Sequence, residues 1–211
     1  MSSTFEDVQV VRGDISGRLD QAARDYGTVA WDIETSGLKW SIDTIGTVQL
    51  HVPNAGTEIV QMNAGEVPTR LSALLSSERV VKVFHHAPFD LRFMTHQWSV
   101  RPRNIACTKI AAKIVNPNLS SREYSLAPLL RTLLGVHINK DQRTSNWTSE
   151  QLNDSQINYA ANDVKYLIPL LRELLYTARQ EGVSTLVEDS FYYLPTRVQI
   201  ELRGGGDVYA Y

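Results

Sequence analysis

The run Val29–Ala30–Trp31–Asp32–Ile33–Glu34 sets two carboxylates inside an apolar stretch, and this restricts the folds open to the chain more than any other feature. Val29, Trp31 and Ile33 alternate as in a strand, where side chains two apart share a face. Asp32 and Glu34 therefore stand side by side. Like charges at that spacing repel, and in a half-buried sheet the repulsion persists unless a cation or hydrogen-bond donors offset it. The fold must bring compensating chemistry to that face. Hard divalent cations, which take oxygen ligands, are the natural remedy.

Apolar alternation predicts further strands at 8–12, 45–51, 57–61 and 80–85 around the acid-bearing one at 28–34. Helical spacing predicts helices over 15–26, 68–75, 88–98, 108–114 and 125–134, and a long run from about 155 to 180. In that run Asp154 is the expected N-cap, Gly182 the stop, and Pro169 a kink or division. Strands first and helices mixed in later point to a mixed sheet flanked by helices. A length of 211 residues suits one domain with a tail, and we expect the domain to occupy 1–190. Residues 191–211 mix aromatics with a triple glycine and are expected to dock on the domain or at a subunit interface.

The totals narrow the function. The sequence has no apolar run long enough for a membrane helix and no basic-then-apolar leader, so neither is expected. The lone Cys107 excludes an intramolecular disulfide and fits a reducing compartment, which makes a cytoplasmic location the expectation. Net charge is −2, without the basic surplus of proteins that grip long nucleic acids. A short nucleic acid, or one held through metal ions, remains compatible.

Two more places carry chemistry. Asp90, in "FHHAPFD", lies in the first turn of a helix opened by Pro88, where the helix dipole alone favours an acid. Tyr159 and Asp163, in "YAAND", are four apart and share a helical face. Taken singly, a solvated acid and a core aromatic explain that pair; only Asp32 with Glu34 resists an ordinary structural reading.

Asp-x-Glu in "DIETSGL", then "HHAPFD", then Tyr-x-x-x-Asp in "YAAND", in that order, resembles the tyrosine branch of the DEDD exonucleases. The stretches "CTKIAAKI", "YSLAPLLRTLLGV" and "INKDQRTSNW" are similar to the ribonuclease D family, and the short chain to its type C nano-ribonucleases. The resemblance implies a ribonuclease H-like α/β fold with a mixed five-stranded sheet and helices on both sides. It implies a metal-dependent 3′→5′ exoribonuclease that releases nucleoside 5′-monophosphates from short single-stranded RNA. Asp32, Glu34, Asp90 and Asp163 would hold two Mg²⁺ or Mn²⁺ ions, and Tyr159 would hydrogen-bond the attacking water. Thr35 and Leu38 match positions that meet the terminal nucleotide. His85 is a candidate substrate contact, with a second histidine, His86, where many relatives have another residue. Gln142, Arg143 and Trp147 are candidates to meet a phosphate or base, whereas Lys109 and Arg131 read as ordinary surface charge. A homo-oligomer is a further implication. A single-strand DNA exonuclease and a non-catalytic nucleic-acid-binding module are the competing readings.

Overall fold

A computed structural model describes residues 8–138, 142, 145–208 and 210; Arg143 lies outside them. The strands are β1 (Val8–Arg12), β2 (Thr28–Thr35), β3 (Ile45–Val52), β4 (Gly56–Gln61), β5 (Val81–Phe84) and β6 (Ile105–Cys107). They form a six-stranded sheet in the order β1-β4-β3-β2-β5-β6. β2, β3 and β4 pair antiparallel, while β1 joins β4, and β5 and β6 extend β2, in parallel. The mixed sheet is as expected, with one strand more. β6 is three residues long, too short for alternation to register.

The helices are α1 (Gly17–Tyr26), α2 (Thr69–Leu75), α3 (Ala87–Trp98), α4 (Thr108–Val115), α5 (Leu126–Leu134), α6 (Asp154–Lys165), α7 (Leu167–Gln180) and α8 (Ser184–Leu202). Local chemistry sets their ends. Ser16 caps α1, its Oγ accepting the Leu19 N–H at 3.1 Å. No side chain of its own caps α2; Asp14, far back in the chain, accepts the Arg70 and Leu71 N–H groups. α6 opens on a capping box in which Asn153, not Asp154, is the N-cap, and Gln156 returns a bond to the Asn153 N–H.

The long helical run divides at Tyr166, three residues before Pro169. A proline ring presses on the carbonyl four residues back and donates no hydrogen bond to it. The break therefore falls ahead of the proline rather than at it. Gly182, with φ 69°, follows the last turn of α7 as the glycine stop. α8 runs through position 190 and through Pro195. Its Leu194 and Val198 join the core that contains Trp31 and Phe84.

That core fills one face of the sheet, between Trp31, Val48 and Leu50 and the apolar sides of α1, α2, α3 and α8. On the other face, Ala30, Val83 and Ala106 pack under α4, α5 and α7. A third, smaller cluster of Ile59, Trp147, Tyr159 and Ala160 sits where α6 crosses β3 and β4. Asp32 and Glu34 belong to the face α6 covers. Their antiparallel partners Gln49 and Thr47 share it, which gives that face a buried polar strip instead of an apolar core.

Candidate active site

The site is assembled from β2, α3 and α6. β2 supplies Asp32 and Glu34 near its C-terminal end, just before a register irregularity at Glu34/Thr35. α6 brings Tyr159 and Asp163 down over them from one helical face. Carboxylate oxygens of Asp32, Glu34 and Asp163 lie within 4.8 Å of one another, a set able to hold a metal ion. Asp90 arrives from the first turn of α3. His86 turns the chain into that helix in the left-handed region, with φ 72°. Buried beside Asp32, Asp90 accepts the Ile33 N–H through Oδ1 at 3.2 Å, which ties α3 to the strand between its two acids. It stands outside the close group of three. A cleft of about 280 Å³ opens over these residues, walled also by His85, Phe89, Lys109 and Leu126.

The electrostatics favour a bound cation. Burial, then the neighbouring Asp90, Glu34 and Asp163 carboxylates, push Asp32 well above the ordinary carboxylate range. Burial raises Asp90 to about 8, although Arg92 and the backbone N–H groups work against the rise. Burial and the Asp163, Glu34 and Asp32 charges also push the Tyr159 phenol upward, and its hydroxyl is hydrogen-bonded to Asp163. Asp32 and Asp90 resist ionisation beside two further carboxylates, and an oxygen-only donor set of this kind suits a hard divalent cation.

The other sequence candidates are scattered. His85 lines the cleft, and its Nδ1 is 2.8 Å from Thr108 Oγ1, which itself donates to the Phe84 carbonyl. Thr35 donates to the Gly37 carbonyl at 2.6 Å. Leu38 is 82% exposed on the following loop, and neither it nor Thr35 is part of the cleft wall. Gln142 is half-buried away from the cleft, its carbonyl accepting the Ser145 N–H. Trp147, expected to meet a phosphate or base, is instead 2% exposed, packed on the Tyr159 ring and outside the cleft. Conversely Lys109, which sequence reasoning took for surface charge, stands in the cleft wall, its ammonium pKa lowered by burial and by Lys113. Its sequence signal was weak: only its position at the strand-to-helix junction after Cys107 sets it apart.

Comparison with known proteins agrees with this geometry. Ribonuclease D of Haemophilus influenzae is 29% identical over 165 residues, covering 76% of this chain and 40% of that protein. The chain spans less than half the length of the first curated ribonuclease D relatives it matches. The structure of NrnC from Brucella melitensis superposes with a TM-score of 0.90 at 32% identity, over 98% of this chain and 99% of that one. The same Brucella protein is known with bound Mg²⁺ and bound to pGG. Escherichia coli ribonuclease D shares the fold, with a TM-score of 0.79 at 21% identity over 92% of this chain and 51% of that one. Residues 15–177 match the family model described as 3'-5' exonuclease, and with most of its length inside that match the chain belongs to the 3′-5′ exonuclease family.

Proposed function

We propose that this chain is a divalent-metal-dependent 3′→5′ exoribonuclease that shortens small single-stranded RNAs, one nucleoside 5′-monophosphate at a time. The observation that carries the reading is the convergence of Asp32, Glu34 and Asp163 within 4.8 Å, beside a tyrosine hydrogen-bonded to the last of them. Asp32, Glu34, Asp90 and Asp163 would hold two Mg²⁺ or Mn²⁺ ions. When bound, such ions supply Lewis-acid polarisation of the scissile phosphate and lower the pKa of a nearby water.

The chain's own groups supply position. Tyr159, kept protonated by its buried, anionic surroundings, acts through its hydroxyl as a hydrogen-bond partner that orients the attacking water, and not as a phenolate base. Water oxygen bonds to phosphorus and gives up a proton, the bond to the 3′ oxygen of the preceding nucleotide breaks, and that oxygen takes up a proton from solvent to leave as the new 3′ hydroxyl. Lys109, beside the acids in the cleft wall, is placed to meet a phosphate oxygen. Phe89 and Leu126 give the cleft an apolar wall on which a terminal base can rest. Preference for short RNA is supported by the near-neutral charge, the compact cleft and the resemblance to a nuclease known bound to pGG.

The test is incubation of the purified protein with a 5′-labelled dinucleotide and a 5′-labelled long RNA, with Mg²⁺ or Mn²⁺ and then with chelator. We expect metal-dependent loss of the dinucleotide ahead of the long RNA. No cleavage of either RNA overturns the reading, and cleavage of the DNA counterparts alone would favour the DNA exonuclease instead.

A further inference from the structure

Trp147 comes from a polar stretch, "INKDQRTSNWTSE", yet it is 2% exposed. Its ring centroid lies 5.8 Å from that of Tyr159, tilted by 43°. The cluster holding both is small, with Ile59 and Ala160 as its other buried members, so the indole is the largest apolar body against the tyrosine. Trp147 Nε1 has no hydrogen-bond partner among the described residues. What keeps an indole here is therefore its ring area and not its N–H.

The segment around Trp147 is pinned from three sides. Gln156, the residue that completes the capping box of α6, also donates through Nε2 to the Asn146 carbonyl at 3.0 Å. Gln61 on β4 donates through Nε2 to the Ser149 and Glu150 carbonyls, and Arg12 on β1 also reaches Glu150. On β3, Gly46 lies against the backbone of Trp147 itself. A Cβ at Gly46 would come within 2.4 Å of the Trp147 carbonyl oxygen and 2.7 Å of its carbon. Both atoms are backbone, so nothing flexible can yield. The backbone of Trp147 is thus held against β3 with room for no more than a hydrogen atom at Gly46, while its indole packs on the Tyr159 ring.

We propose that Trp147 is a positioning residue that sets the Tyr159 hydroxyl over the acid cluster, and that Gly46 provides the space this requires. The inference rests on the functional reading of Tyr159 above. It reassigns Trp147 from substrate contact to a support acting through another residue, and it gives Gly46, which lies between the cross-strand partners of Glu34 and Thr35, a part in turnover through packing.

The experiment measures kcat and KM on a dinucleotide for Trp147→Ala, Trp147→Phe and Gly46→Ala, each in the parent and in a Tyr159→Phe background. Misplacing a reacting-site group by about 1 Å costs up to about a hundredfold. We therefore expect Trp147→Ala and Gly46→Ala to lower kcat by about ten- to a hundredfold with KM little changed. Trp147→Phe, which keeps an aromatic ring, should recover most of the loss. In the Tyr159→Phe background the same substitutions should have little further effect, because interactions routed through one residue are not additive. If Trp147→Ala fails to fold, Gly46→Ala carries the test. Equal losses in both backgrounds, a rise in KM instead of a fall in kcat, or full turnover by Gly46→Ala would each overturn the proposal. A parent protein that cleaves nothing would instead sink the functional reading.

Discussion

At Tyr159 the surroundings decide the chemistry. A phenol whose pKa is driven up by burial and three carboxylates holds its proton, so the part proposed for it is a hydrogen bond in a fixed direction. Tyr159→Phe should lower kcat by about ten- to a hundredfold while a calorimetric titration with Mg²⁺ gives unchanged affinity. Asp163→Asn should abolish turnover and leave the metal-free protein folded, since removing an anion from a crowded acid cluster relieves repulsion. Circular dichroism and melting of that variant check the second half. Asp90 makes the same site a pH-dependent strain on the fold. Its folded pKa, about 8, lies above its unfolded value, so between the ordinary carboxylate range and about pH 8 the folded state binds more protons than the unfolded one. Stability of the metal-free protein must then fall as pH rises through that window. Lys82 works in the opposite direction. Its side chain is fully buried in β5, its Nζ donates to the Ser77 and Val80 carbonyls, and burial lowers its pKa to about 7. From there up to the unfolded lysine pKa the unfolded state binds more protons, so stability rises with pH. Melting of the chelated protein should therefore pass through a minimum near neutral to mildly alkaline pH. Asp90→Asn should flatten the acid limb and Lys82→Met the alkaline one. A monotonic curve would contradict both.

At the scale of elements, α6 carries the most consequence, because it brings Tyr159 and Asp163 to the acids on β2. Asn153→Ala removes one half of its capping box and should cost about 1 kcal/mol of stability by denaturant unfolding. Gln156→Ala should cost more in activity than in stability, because Gln156 holds both the cap and the Asn146 carbonyl. Elements with strong periodicity were plain in the sequence. β1 through β5 and α1 through α5 lie where alternation and helical spacing put them, within a few residues. What escaped notice had a physical reason. β6 is a short continuation of a parallel sheet with no alternation to read. α8 contains Pro195 and a mixture of tyrosines, threonine and charge, so its helical face shows only once Leu194 and Val198 meet the core. At the site, the two acids on β2 announced themselves because they defied the strand around them. Trp147 did not, because a polar loop conceals which of its members turns inward, and Lys109 looked like any exposed cation until α4 was laid beside the cleft.

For the whole molecule, charge and shape set what is gripped. With a net charge of −2 and no basic surplus, the protein has few side chains with which to displace counterions from phosphates. The logarithm of its affinity for a dinucleotide should then fall with the logarithm of salt concentration at a slope of about −0.7 to −1.4, since single strands give about −0.7 for each of the one or two phosphates neutralised. Fluorescence anisotropy at several salt concentrations measures it, and repeating it with a long RNA gives the same slope unless the footprint extends beyond the cleft. The placement of the acids has a consequence in time. Asp32 and Asp163 meet in space yet are separated by well over half of the chain, and the principal core closes only when Leu194 and Val198 of α8 reach it. A ribosome adding about 5–20 residues each second needs on the order of ten seconds between the first acid and the last. Throughout that interval the emerging polypeptide lacks an assembled metal site. On the function proposed here, an enzyme that destroys RNA would thus be born unarmed, beside the message that encodes it.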